Sequence, residues 1–119
     1  MTTKGLGGTD STWEKLAQND PLWAILSDPA KRGGGWKVDE FFATGDREIA
    51  ELMTYLDRVA PDIGRDRALD FGCGIGRVTR PLAAHFARVT GMDISPSMVE
   101  AAREYAAKAP AHGGECEYV

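Results

Sequence analysis

The stretch 68–77, ALDFGCGIGR, decides how the rest of the chain is read. A short apolar run leads into Gly72, Gly74 and Gly76, three glycines within five positions, and residues of helical pattern follow. Glycine lacks the β-carbon that would hold a ligand off the backbone and tolerates a left-handed φ. A strand, a glycine turn and a helix start therefore make a site where ligand and main chain approach closely. The pattern alone leaves the ligand open.

Working outward, RALDFG (67–72) reads as a short buried strand. RVTRPLAAHF (77–86) reads as a helix in which Pro81 is tolerated because it lies near the first turn, where amides lack intrahelical partners. ARVTGMDI (87–94) gives a second strand, and SPSMVEAAREYAAK (95–108) a second helix. In that helix Ser95 caps, Pro96 takes the first position, and Met98, Ala102 and Tyr105 stack inward. ECEYV (115–119) begins a third strand. Strands alternating with short helices predict an α/β fold with a Rossmann-like parallel sheet, right-handed crossovers, and ligands at the carboxyl ends of the strands.

Upstream, DSTWEKLAQ opens on capping residues, DPLWAIL places Pro21 at a first helical position, and KRGGGW breaks any continuation. Residues 1–45 are thus read as a helical and loop cover segment: two short helices followed by a mobile loop. Residues 46–119 are read as a partial Rossmann-like domain holding the first three strands. From Asp46, residues Ile49, Leu52, Met53, Leu56 and Val59 recur at helical spacing, and Pro61 and Gly64 end that helix. Trp13, Trp23, Trp36, Phe41 and Phe42 are read mainly as core-filling aromatics.

Composition restricts the function. The chain is 43% hydrophobic and 27% charged with a formal net charge of −4, and it has no cluster of Lys and Arg. It lacks the basic footprint of sequence-independent nucleic-acid binding, so nucleic acid is not expected as a partner. No segment approaches the ~20 apolar residues of a membrane span, and no secretory leader is evident, which predicts a cytoplasmic protein without membrane contact. Cys73 and Cys116 show neither metal-ligand spacing nor a disulfide framework and read as small apolar residues, with no metal site. His85 and His112 have no visible partner that would make either a base, and no catalytic residue is assigned.

Charge and spacing narrow the ligand. The dinucleotide fingerprint G-x-G-x-x-G needs glycine or alanine at position 77, where this chain has Arg77. Asp70 stands two residues before the first glycine, close to the ligand's polar end. An acid there repels a pyrophosphate and suits the ammonium and sulfonium of S-adenosylmethionine. Asp93, at the end of the second strand, has two oxygens able to accept both ribose hydroxyls of a nucleoside cofactor.

LDFGCGIGR and GMDISPSM together resemble the first glycine motif and the following acidic motif of class I S-adenosylmethionine-dependent methyltransferases. DPLWAILSDPAKRGGGWKVDEFFATGDREI resembles, more loosely, the segment that precedes this motif and helps cover the cofactor in some small-molecule members. The resemblance implies S-adenosylmethionine as cofactor and methyl transfer to a small-molecule acceptor. It places Gly72 and Gly74 along the methionine part, with Gly76 also in the cofactor-binding set, Asp70 on the amino group directly or through water, Asp93 on the ribose, and Ile94 and Met98 against adenine. Arg77 is a candidate for the cofactor carboxylate.

The family's sheet continues with four more strands, and loops after the fourth build most of the acceptor pocket. The chain therefore reads as the cofactor-binding, N-terminal half of such an enzyme, weak or inactive by itself. Three strands added in one direction leave one sheet face bare, and parallel sheets occur almost only with both faces covered. A homo-oligomer, or the missing C-terminal half, is expected over that face. The alternative reading is a catalytically silent nucleoside-binding or interaction module that self-associates through the open sheet. A fragment of a nicotinamide-dependent oxidoreductase is disfavoured by Arg77 and Asp70.

Overall fold

The computed structural model describes residues 7–109 and 112–119, with side chains from residue 12 onward. Helices α1 (Gly7–Asn19) and α2 (Pro21–Ile25) come first, followed by a 3₁₀ turn at Pro29–Lys31 and the long helix α3 (Val38–Val59). Strand β1 (Arg67–Phe71), the single-turn helix α4 (Thr79–Leu82), β2 (Arg88–Met92), α5 (Pro96–Lys108) and β3 (Glu115–Tyr118) complete the chain. The three strands form one parallel sheet in the order β1-β2-β3, with Asp70 opposite Gly91 and Gly91 opposite Tyr118. The Rossmann-like α/β reading is correct.

The local signals behind α5 act as expected. Ser95 accepts a hydrogen bond from the Met98 amide at 3.1 Å, Pro96 opens the helix, and Met98 and Ala102 are fully buried. Three other readings change. The helix expected over 77–86 contracts to α4, because the chain then follows tight turns in which Ala83, Ala84 and His85 donate to the carbonyls three residues back. The helix expected from Asp46 starts at Val38, with Asp39 and Glu40 complementing the positive end of its dipole, and runs unbroken across positions 45 and 46. Of the apolar series on that helix, Ile49 and Met53 are buried, whereas Leu52 and Val59 face solvent.

The third change concerns the glycine run read as a mobile loop. Gly33 and Gly34 take left-handed φ angles of 75° and 80°, and both amides donate to Asp20 Oδ2, at 2.7 and 3.2 Å. The loop is thus pinned to the turn between α1 and α2. The helix opening expected near Asp10 lies inside α1, which begins at Gly7; the side chains of Asp10 and Ser11 lie outside the described residues.

Every strand turns one set of side chains to the helices. Ala68, Val89 and Cys116 pack with Ile49, Met53, Ala83 and Phe86. Tyr118 and Cys73 pack with Val99 and Ala102 on α5. A third cluster, with Leu22, Phe41, Phe42, Ile75 and Met98, joins the N-terminal helices to the glycine loop. The opposite set is uncovered: Leu69 is 59% exposed and Phe71 84%.

Candidate functional site

The carboxyl ends of β1 and β2 meet at the glycine loop. Gly72, Gly74 and Gly76 have φ angles of 79°, 55° and 90°, the left-handed region that side chains with a β-carbon rarely enter. The amides of Gly72 and Cys73 both donate to the Met92 carbonyl, at 2.7 and 2.8 Å, which ties the loop across to the end of β2. A β-carbon on Gly72 would meet nothing within 4 Å, so its backbone is open to a ligand; one on Gly74 would come within 2.7 Å of Ile25 Cδ1 from α2.

The two acids flank this loop. Asp70 is half-buried at the end of β1, and its Oδ2 accepts a 2.7 Å hydrogen bond from the hydroxyl of the fully buried Thr79. Asp93 follows β2; its Oδ2 accepts from the Gly74 amide at 2.8 Å and its Oδ1 from the Ser95 amide at 2.9 Å. The Cys73 thiol between them registers this setting. Burial first, then the charges of Asp93 and Asp70, push its pKa up to about 12.

Oδ1 of Asp93 also accepts from the indole Nε1 of Trp13 on α1, at 3.1 Å. The neighbouring Glu14 accepts from the Ser95 hydroxyl at 3.1 and 3.2 Å and from the Ser97 amide at 2.8 Å, so α1 is held against the N-terminus of α5. These bonds keep the Glu14 carboxyl below its usual pKa, the Ser97 bonds most of all.

The other candidates divide. Arg77 points away from the two acids, pairing with Glu48 at 2.7 Å and reaching Thr44 at 3.4 Å, both on α3. Ile94 is 56% exposed beside Asp93, while Met98 lies in the core beneath α1 and α2 and offers no surface. Among the described residues no group of three or more His, Cys, Asp or Glu could hold a metal ion, and no helix is long and apolar enough to cross a membrane. Sequence reasoning missed Trp13, Glu14 and Thr79 as members of the site. Trp13 and Glu14 act across about eighty positions of sequence, for which no local signal exists.

The family model described as a methyltransferase domain matches residues 68–119, the portion that holds the loop, both acids and all three strands. The match takes in 52 of the 119 residues, a little under half of the chain. Two trans-aconitate 2-methyltransferases, from Streptomyces avermitilis and Streptomyces coelicolor, are 39% and 50% identical to the chain over 83 residues. In each case the match covers 66% of this chain, but only 30% and 26% of the relative. A 23S rRNA (uracil(1939)-C(5))-methyltransferase from Marinomonas is 36% identical over 64 residues, 54% of this chain and 14% of that protein. The chain thus spans less than a third of these curated relatives.

Among solved structures, Haemonchus contortus phosphoethanolamine N-methyltransferase 1, in complex with phosphoethanolamine and S-adenosylhomocysteine, aligns over the whole chain. The TM-score is 0.63 at 23% identity, with 22% of that protein covered. Magnesium protoporphyrin IX methyltransferase from Synechocystis with bound S-adenosylhomocysteine aligns over 92% of the chain and 49% of its own length, at TM-score 0.56 and 22% identity. At these identities the likeness establishes the fold alone: the sheet and the helices before it follow the α/β, Rossmann-like arrangement of these structures.

Proposed function

We propose that this chain is the cofactor-binding half of an S-adenosylmethionine-dependent methyltransferase whose acceptor is a small molecule. The observation that carries the reading is the pair of carboxylates, Asp70 and Asp93, on either side of a glycine loop whose first glycine has open space where a β-carbon would stand. S-adenosylmethionine supplies a methyl group activated by a sulfonium. Asp70, with one oxygen held by Thr79, keeps a negative charge where a cationic amino-acid tail would lie. Asp93 offers acceptors for a ribose diol, and the loop backbone at Gly72 allows close approach. The chain's contribution to methyl transfer is alignment and exclusion of water, for which an in-line displacement has most need. A small-molecule acceptor is favoured by the longer matched span of the trans-aconitate relatives and by the net charge of −4.

Titration calorimetry tests the cofactor. S-adenosylhomocysteine is expected to bind and NAD to give no heat. Asp93→Ala is expected to lose the former while its circular dichroism stays that of the parent. Binding of NAD, or unchanged affinity in Asp93→Ala, would overturn the reading.

A second reading follows from the uncovered sheet face. An apolar set with Phe71 84% exposed is costly in water, at about 25 cal/mol for each Å² left uncovered. We propose that a second copy of this chain covers it when the chain is alone, and that a silent, self-associating module is the alternative to the enzymatic half. Light scattering is expected to report a dimer or larger species; a monomer at 100 μM would refute it.

A further inference from the structure

The Asp93 carboxylate does not stand ready for a nucleoside. A carboxylate has about four acceptor positions on its two oxygens. Among the described residues, donors take three of them: the Gly74 amide on Oδ2, and the Ser95 amide and the Trp13 indole on Oδ1. One position remains, and a ribose diol donating through both hydroxyls needs two, so a present donor must leave.

The three donors are not equally able to do so. The Gly74 amide belongs to the loop that the Gly72 and Cys73 amides tie to Met92, and the Ser95 amide lies two residues along the chain from Asp93, at the cap of α5. Withdrawing either means unmaking the cradle itself. Trp13 comes from a separate helix, α1, and is only half-buried. Its neighbour Glu14 has its own anchorage on Ser95 and Ser97, so α1 stays tethered to α5 when the indole swings away.

Resting on the cofactor reading above, we infer that Trp13 is a latch: its indole occupies the nucleoside-binding acid in the free chain, and uptake of the cofactor proceeds by exchange of that N–H for a ribose hydroxyl. Cofactor affinity in this chain is set by a competition between α1 and the nucleoside for one carboxylate. The N-terminal helix is a built-in competitor, and whatever pulls α1 away raises the affinity.

Two measurements on the full chain separate the latch from the reading it rests on. The first needs no ligand: amide hydrogen exchange across 12–19 in the parent, in Trp13→Phe, which keeps a six-membered aromatic ring and removes the pyrrole N–H, in Asp93→Asn, and in the double variant. Faster exchange in Trp13→Phe and in Asp93→Asn, with no further gain in the double variant, is the expected result; unchanged exchange in Trp13→Phe overturns the latch whatever the ligand does. The second is titration with S-adenosylhomocysteine. Trp13→Phe is expected to bind about tenfold more tightly than the parent, the worth of one hydrogen bond to a charged group after solvent takes its share. Equal affinity, or protection of 12–19 when ligand is added to the parent, would overturn the competition and make α1 a simple cover. If neither protein binds while exchange still responds, the contact stands, but the cofactor reading fails and the competition with it.

Discussion

Gly45, a third of the way along α3, is seated on the backbone carbonyl of Arg77, so closely that a β-carbon built there would overlap the carbonyl oxygen. The Arg77 side chain then reaches Glu48 and Thr44, which flank Gly45 on the same face of the helix. The contact explains how α3 positions the loop: the helix is fixed to the residue that immediately follows the last glycine of the cradle.

Gly45→Ala tests that seating, because two effects of opposite sign compete. Alanine gains about 1 kcal/mol of helix propensity over glycine. The overlap falls on main chain, which cannot rotate away, and forcing helix and loop apart costs about 1–3 kcal/mol. A net loss of about 1 kcal/mol in urea unfolding is expected. A gain would mean that α3 does not rest on the loop.

Gly76 and Tyr118 carry a second test. Tyr118 is buried, and among the described residues its hydroxyl has no nitrogen or oxygen partner, only the Cys116 thiol; it would lie 2.6 Å from a β-carbon on Gly76. Gly76→Ala meets both the φ of 90° and this hydroxyl, and about 2 kcal/mol of destabilisation is expected. Tyr118→Phe removes a buried hydroxyl whose one near polar neighbour is the weakly bonding Cys116 thiol, so stability equal to the parent or about 1 kcal/mol higher is expected. In the double variant the alanine should cost less by more than 0.5 kcal/mol, the usual sign of coupled neighbours. Strict additivity would show that the hydroxyl does not press on the loop.

The strands, the cap at Ser95 and the parallel order were legible because each rests on neighbours in sequence: a short apolar run, a serine before a proline, a helix between two strands. The same locality explains the misses. The α4 reading failed because Pro81 and the tight turns after it interrupt a pattern that looks helical residue by residue. The start of α3 was set too late. A glycine inside a helical run weakens the helix signal, and here Gly45 is present for its contact with Arg77 rather than for its propensity. Asp70 and Asp93 could be picked out by spacing from the glycines. That Trp13 would reach Asp93 could not, since only the packing of α1 on α5 brings the two together.

Docking of α1 should depend on pH through Glu14. The Ser97 and Ser95 hydrogen bonds favour the ionised carboxyl and lower its pKa from the ordinary 4.5. A lowered acid contributes stability that is present above the ordinary value and lost as pH falls through the lowered one. Hydrogen exchange across 12–19 is therefore expected to hold steady from pH 7 to about 5 and to quicken below about 4.5, after correction for intrinsic rates. Glu14→Gln should be already quickened at pH 7 and flat across the same range. A parent that stays protected at pH 3.5 would show that Glu14 does not hold the helix.

The Cys73 thiol gives the opposite dependence. Its pKa rises from 9.0 to about 12, burial contributing most and the Asp93 and Asp70 charges adding to it. An acid whose folded-state pKa is raised binds its proton more tightly when folded, so its contribution is whole while both states are protonated. Above about pH 9 the unfolded thiol ionises and the folded one does not; stability should decline from there toward pH 12. Tyr118 and Cys116 are raised by burial as well and share this direction, so the decline should be reduced, not abolished, in Cys73→Ala. Urea midpoints at pH 7, 9 and 10.5 measure it, and in the native chain at pH 8 iodoacetamide should leave Cys73 unmodified because the thiolate is the reacting form. Rapid labelling of Cys73, or a Cys73→Ala variant whose alkaline slope equals the parent's, would mean that the loop opens to water and that the two aspartates do not enclose it.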